Sequence, residues 1–404
     1  MRILHVSPSL PVDVCTQAVS LSNHGWLDHL YTSAATNGKD SKGWLLNRWL
    51  GRREVQIRGD ELRAIYTSDV HQRLRLLAGK SRTESMDERF KRVDYAASRQ
   101  VNDGLDAVLC REDAARHTFE QARDYGIIRI YDLPTAHFEF TQDLMKKEVE
   151  CFPELERSIS IADDYAVDRI SNKERELSFA NHILCPSQFV RRSLVAGGYG
   201  GKSIQVLPFA CDRGWLRESS EKRTNVVLGV GQISVRKGVH RLLKVWKQMG
   251  AYRTHTLRLV GDMRLPRAYL KQFKGIYEHV PSLPRKDLIR QYATAKMLVL
   301  NSMSEGMAIV IPEALSVGTP VLASCNSGAE EMVTDHEEGL LVDYGDDEAL
   351  ARSLELLLTS PELLRHMGDK AKIRARTRTW SFYSREFIEW IDSVVTKMSI
   401  SNSA

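Results

Sequence analysis

The decisive stretch of the chain reads Leu300-Asn301-Ser302-Met303-Ser304-Glu305-Gly306-Met307-Ala308-Ile309-Val310-Ile311-Pro312-Glu313-Ala314-Leu315, then Gly318-Thr319-Pro320-Val321-Leu322-Ala323-Ser324. The apolar run at 297–300 predicts a buried strand, and a glycine-containing loop follows it. Pro312 is tolerated in the first turn of a helix, so the spacing predicts a helix beginning near Ile309. A second strand then opens at Pro320. Strand, loop, helix and strand in this order build a parallel α/β sheet. Such a loop turns backbone N–H groups and the positive end of a helix toward whatever sits above it, and a diphosphate suits that place.

The alternation extends in both directions. Upstream in the second half, residues 225–230, 257–260 and 297–300 read as strands, with helices over 239–249 and 286–294 between them and a further helix over 347–359. In the first half, 3–6, 107–109, 127–131 and 182–185 are strand candidates separated by helix-length segments at 17–23, 114–125 and 172–180. The fold class is therefore α/β, with two doubly wound, Rossmann-like domains facing across a cleft. Glycines cluster in Gly197-Gly198-Tyr199-Gly200-Gly201, which places a linker at 197–205. The expected domains are 1–200 and 205–381, with a closing helix at 382–398 that packs back on the first.

At 404 residues the chain exceeds one ordinary core, which agrees with two domains. Lys plus Arg number 57 against 52 Asp plus Glu, a formal charge of +5, a mild lean that suits anionic substrates or an anionic membrane surface. Basic residues do not alternate with aromatics across any recognisable module, so nucleic acid is not an expected partner. The six cysteines show no Cys-x-x-Cys pair, and no histidines stand at metal-ligand spacing, which reads as free thiols in a reducing cytosol. The N-terminal apolar run breaks at Ser7-Pro8, too early for a signal peptide, and no apolar run approaches the ~18 residues of a spanning helix. The expected location is cytoplasmic, with a peripheral seat on the inner face of the membrane as an option. That option rests on Lys42-Gly43-Trp44-Leu45-Leu46-Asn47-Arg48-Trp49-Leu50-Gly51-Arg52-Arg53, continued by Arg73, Arg75, Lys80, Arg82, Lys91 and Arg92. An ordinary amphipathic core helix is the alternative for the same segment.

Glu305 and Glu313 are eight residues apart, which on one continuous helix would set them ~80° apart around the axis. They converge on one ligand if Glu305 sits in the loop and Glu313 in the early helix, where both can accept bonds from sugar hydroxyls. Taken alone, the pair could equally serve the helix dipole. A second stretch, Val230-Gly231-Gln232-Ile233-Ser234-Val235-Arg236-Lys237-Gly238, runs from strand end into helix and puts two cations where only an anion would favour them.

These stretches together resemble the retaining GT-B glycosyltransferases of glycosyltransferase family 4. The Ser-x-x-Glu-Gly loop, the Glu-x7-Glu pair and the Gly-Thr-Pro-Val strand match that family in order and spacing. The resemblance implies a nucleotide-diphosphate-sugar donor held by Gly231, Gln232, Arg236, Lys237, Glu305, Gly306, Met307, Ala308, Ile309 and Glu313. Glu305 would hold the donor sugar, Glu313 the ribose and Lys237 the diphosphate. Family members usually carry Arg at the position of Gln232, and here Arg236 is expected to supply the missing charge. Tyr131-Asp132-Leu133-Pro134-Thr135-Ala136-His137 resembles the segment where the family keeps a histidine against the reacting sugar, so His137 joins Glu305 and Lys237 as a candidate catalytic residue; a structural histidine is the alternative. The family's Gly-Gly loop near the N-terminus is absent, since residues 11–17 hold no glycine.

The implied activity is transfer of a sugar, with retention, to a saccharide or lipid-linked acceptor in bacterial surface polysaccharide or glycolipid synthesis. No cofactor and no metal are expected, because no Asp-x-Asp motif stands in a convincing loop and cations can replace Mg²⁺. Two other readings stay open: a nucleotide-sugar epimerase of the same fold, and a degenerate, non-catalytic glycosyltransferase scaffold. Oligomeric state leaves no signature in the sequence.

Overall fold

The computed structural model describes residues 1–33, 35–37, 54–159, 167–212, 214 and 223–401. The Trp- and Arg-rich segment at 42–53 lies outside the described residues.

Two parallel sheets carry the chain. The first holds β1 (Ile3–Val6), β2 (Leu27–Thr32), β3 (Leu62–Ala64), β4 (Ala107–Arg111), β5 (Ile128–Asp132), β6 (His182–Cys185) and β7 (Ser203–Val206), in the order β3-β2-β1-β4-β5-β6-β7. The second holds β8 (Val226–Val230), β9 (Thr256–Val260), β10 (Glu278–Val280), β11 (Met297–Leu300), β12 (Val321–Ser324) and β13 (Gly339–Val342), in the order β10-β9-β8-β11-β12-β13. In each sheet the chain first winds outward in one direction and then returns beside its first strand to wind in the other. The switch points therefore lie between β1 and β4 and between β8 and β11, and the crevice above such a switch is where doubly wound sheets bind ligands.

The central strands are almost entirely apolar because helices cover both faces of each sheet; β1, with only His5 polar, and β11 are buried at every position. On the first sheet, α1 (Val12–Asn23) covers one face. The other is covered by α3 (Arg82–Ser98), which pairs with α2 (Tyr66–Leu77), and by α4 (Arg116–Asp124), α6 (Val167–Phe179) and α7 (Gln188–Leu194). Between α4 and α6 runs α5 (Phe138–Cys151). The second sheet is flanked by α8 (Val239–Met249), α9 (Arg267–Leu270), α10 (Arg285–Thr294), α11 (Val310–Ser316), α12 (Asp347–Thr359) and α13 (Pro361–Thr377). In α8 the buried Val239, Leu242, Leu243 and Trp246 recur at helical spacing, and Gly250 ends the helix in the left-handed conformation that glycine adopts without strain. No helix among the described residues is long and apolar enough to cross a membrane.

Two segments cross between the halves. The last helix, α14 (Trp380–Ser401), lays Tyr383, Phe387 and Ile391 into the core of the first sheet beside Ile3, Leu21 and Leu30. In the opposite direction, Met145 of α5 and Phe152, Leu155 and Ile159 just after it are buried in the core of the second sheet with Leu242, Trp246, Tyr269 and Phe273.

The structure corrects the sequence in three places. The glycine cluster at 197–201 is a turn that leads into β7, which belongs to the first sheet, so the break between sheets moves to 207–225. The first helix begins at Val12 and not at Gln17, directly after the extended Pro11. Finally, residues 145–159 belong by packing to the second half, although they lie between strands of the first.

Phe387 is fully buried in the α14 contact. Truncation by Phe387→Ala is expected to cost about 3–5 kcal/mol of unfolding free energy, read by urea titration; a loss below about 1 kcal/mol would mean that α14 adds little to the first core.

Candidate functional site

The site forms where the loops after β8 and β11 meet, above the switch point of the second sheet. The first loop leaves β8 at Gly231, whose φ of 126° suits only glycine, and closes at Gly238, φ 65°. A Cβ on Gly238 would run into the carbonyl oxygen of Asn301, so glycine is what lets the two loops touch. They are further laced by Met303 N–H donating to the Arg236 carbonyl at 2.8 Å and by Arg236 Nη1 donating to the Ser304 carbonyl at 3.3 Å.

This lacing brings Lys237, Arg236 and Glu305 together. Glu305 Oε1 lies 2.5 Å from Lys237 Nζ and 2.9 Å from Arg236 Nη1. Lys237 and Glu305 are nearly buried, with side chains 14% and 12% exposed, whereas Arg236 is 44% exposed. Burial pulls the Lys237 pKa down, against the attraction of Glu305. In this trio a single carboxylate lies against two basic side chains.

Glu313 stands apart on α11. Its Oε2 accepts a hydrogen bond from Tyr292 Oη at 2.9 Å, and burial raises its pKa while that bond opposes the rise. Among the loop amides, Glu305 and Ala308 donate to the carbonyls of Asn326 and Ser327, both at 3.0 Å. The N–H groups of Gly306, Met307 and Ile309 have no acceptor among the described residues. Met307 and Ala308 are themselves buried; the Met307 sulfur receives the Phe209 N–H at 3.0 Å. Because α11 has only seven residues, its dipole is short and the cations carry most of the positive potential. Gln232 is exposed in this arrangement.

His137 does not join them. Its ring is buried under Gly197, 4.3 Å from the Phe138 ring and 5.4 Å from that of Tyr199, and both ring nitrogens lack partners among the described residues. The expected approach of this side chain to the cleft is thus corrected: Ser193 Oγ accepts its backbone N–H at 2.9 Å, and the ring is turned toward the 197–199 bend. What the first half does bring to the loops is the segment around His137. Pro134 places its carbonyl oxygen where a Cβ on Gly306 would be, Thr141 Oγ1 lies 3.2 Å from Ser304 Oγ, and Ser187 Oγ donates to the Gly306 carbonyl at 2.5 Å.

At the switch point of the first sheet, Arg111 Nη1 reaches Asp13 at 2.5 Å and Asp132 at 2.7 Å. Burial raises the Asp132 pKa to about 6 in spite of Arg111. Gln17 of α1 donates to the Tyr383 hydroxyl at 3.0 Å, which ties this cluster to α14. Neither this triad, nor Tyr292, nor Thr141 carries a local motif; only strand order assembles them.

Comparison with known proteins then bears on the second half. Residues 215–374 match the family described as glycosyl transferases group 1. An uncharacterized glycosyltransferase of Haemophilus influenzae is 31% identical over 152 residues, which is 36% of this chain and 43% of that protein. A Campylobacter jejuni alpha-1,4-N-acetyl-D-galactosaminyltransferase, named for a PP-undecaprenol-linked saccharide, is 28% identical over 181 residues, 44% of this chain and 50% of its own. The chain thus spans about half the length of these curated relatives. Among solved structures, Anabaena HepE in complex with UDP-glucose superposes with a TM-score of 0.63 at 17% identity, covering 97% of this chain and 100% of that one. The two parallel sheets and this likeness establish the fold as GT-B.

Because Glu305 pairs with both Lys237 and Arg236, Glu305→Gln is expected to tighten binding of inorganic pyrophosphate by about threefold or more in isothermal titration, as removal of one opposing charge predicts. Weaker binding by that variant would show that Glu305 supports the anion and does not occupy its place.

Proposed function

We propose that this chain is a retaining glycosyltransferase of the family 4 type, moving a sugar from a nucleotide-diphosphate donor to an acceptor hydroxyl. The observation that carries the reading is the convergence of Lys237, Arg236 and Glu305 beside the free amides of Gly306, Met307 and Ile309, above the switch point of the second sheet. In this reading the diphosphate lies on Lys237, Arg236 and the loop amides, which stabilise the charge that develops as the glycosyl–phosphate bond breaks. Glu305, released from the cations, accepts donor-sugar hydroxyls. Glu313, aligned by Tyr292, accepts from the ribose. The acceptor attacks from the face that the leaving diphosphate occupies, and a leaving phosphate oxygen takes its proton. Arg236 stands in for the cation missing at Gln232, and the two side-chain cations take the part that Mg²⁺ plays elsewhere.

A saccharide or lipid-linked acceptor is supported by the name of the Campylobacter relative. Donor binding is supported by the HepE structure, which holds UDP-glucose in the same fold. His137, buried under Gly197, is assigned to structure and not to the sugar in this proposal.

The deciding measurement is a thermal-shift panel of nucleoside diphosphates and nucleotide sugars on the wild type and on Lys237→Ala, since a ligand that binds only the folded state raises its apparent stability. The expected result is a shift with one or two nucleotides that fades in the variant. With the donor so named, turnover should give product with the donor's anomeric configuration, persist in EDTA, and fall in Lys237→Ala by about 2–4 kcal/mol of transition-state stabilisation. No shift with any nucleotide would favour the non-catalytic scaffold, and donor conversion without acceptor would favour the epimerase.

A peripheral seat on an anionic bilayer is supported by α2, where Val70, Leu74 and Leu77 are 37%, 58% and 83% exposed at spacings of four and three residues, with Arg73 and Lys80 close by in sequence. The wild type is expected to sediment with phosphatidylglycerol vesicles and less with phosphatidylcholine alone. Changing Leu74 and Leu77 to Ser should abolish the difference; unchanged sedimentation of that variant would remove α2 from the contact.

A further inference from the structure

The crossing segment α5 carries Glu148, which is 2% exposed and makes three hydrogen bonds to two side chains of the second half. His240 Nε2 bonds its Oε1, Arg241 Nε donates to the same oxygen at 2.7 Å, and Arg241 Nη2 donates to Oε2 at 3.0 Å. Burial alone would raise the Glu148 pKa, yet these bonds outweigh it and hold it at about 2. Arg241 continues outward to Asp347 at 3.0 Å, and Lys244 Nζ reaches the other Asp347 oxygen at 2.9 Å. Phe152, one residue after α5, sets its ring 4.7 Å from His240, edge to face, and 4.9 Å from the Arg241 guanidinium.

His240 and Arg241 are the second and third residues of α8, and Lys237 is two residues before its start. The first turn of α8 is therefore gripped by a carboxylate from the other half of the chain. At the same time Thr141, also on α5, touches Ser304 in the second loop. One helix thus braces both loops that hold Lys237 and Glu305. A buried carboxylate with this many donors is fixed in place, since leaving it or Arg241 unpaired in the interior is strongly unfavourable.

We propose that Glu148 is a positioning residue of the donor site: through His240 and Arg241 it fixes the first turn of α8 and with it the Lys237 loop, so that the diphosphate cradle is completed by a helix from the first half. The inference rests on the glycosyltransferase reading and names a residue that this reading does not require. It also follows that α5 moves with the second half in any opening of the cleft.

The test is isothermal titration of UDP, GDP and ADP against the full chain, well below the unfolding temperature of each variant. Glu148→Gln is expected to bind the preferred nucleotide about tenfold more weakly, because a small displacement of a positioned group has a large effect. Glu148→Gln combined with Arg241→Gln removes the unpaired buried charge; it should regain thermal stability yet keep the weak binding. Leu155→Ala, fully buried in the same crossing segment, should lower stability and leave affinity within about twofold, as a cavity-forming change that keeps the Glu148 bonds in place. Wild-type affinity in the double variant, or an equal loss in Leu155→Ala, would reduce Glu148 to a packing role. If the wild type binds none of the three nucleotides, the donor-site reading falls and this inference with it, an outcome distinct from an unchanged affinity among the variants.

Discussion

The contact on which the cleft depends is made of backbone. Gly306 has no Cβ, and the carbonyl oxygen of Pro134 from the other half occupies the space where one would stand. Ser187 donates to the Gly306 carbonyl from a second first-half loop. Any side chain at 306 would push the halves apart, and the loop carrying Glu305 would move with it. Proximity of this kind cannot be produced by side-chain affinity alone; it needs a residue with nothing to displace.

Around that contact the chain exchanges segments in both directions. Helix α14 returns from the end of the sequence to cover the first sheet, and α5 with the turn after it leaves the first half to complete the core of the second. Each crossing carries a polar tie within its apolar packing: Gln17 with Tyr383 in one, Glu148 with His240 and Arg241 in the other. The apolar contacts supply burial, and the polar ties select one geometry, because a buried charge or amide is satisfied in few arrangements. Arg111, held between Asp13 and Asp132, repeats the device at the switch point of the first sheet. Lys237 and Arg236 share a carboxylate in the same way, but their partner Glu305 comes from a neighbouring loop of the same half, the loop that the proposed function assigns to the donor.

Much of the second half was legible because its signals are local. The strands at 226–230 and 297–300, the helices at 239–249 and 347–359, and the start of α11 beside Ile309 follow from apolar periodicity, glycine and proline placement. The short or polar edge strands, Leu62–Ala64 and Glu278–Val280, were not legible, since three residues give no periodicity. Nor was β7, where a glycine-rich turn mimics a linker. His137 reads as a cleft residue by its place after a strand, yet its side chain turns inward; rotamer and packing, which sequence does not encode locally, decide the difference.

By itself the sequence determined the α/β class, the two windings and the two loops that carry Lys237 and Glu305, because each depends on residues near one another along the chain. Tertiary structure decided that Glu305 sits on Lys237 and Arg236, that Tyr292 aligns Glu313, and that Glu148 of α5 secures the start of α8. These pairs lie from about twenty to about ninety residues apart, and no local pattern ranks one partner over another. They become specific only once burial removes water as the alternative partner for each charge.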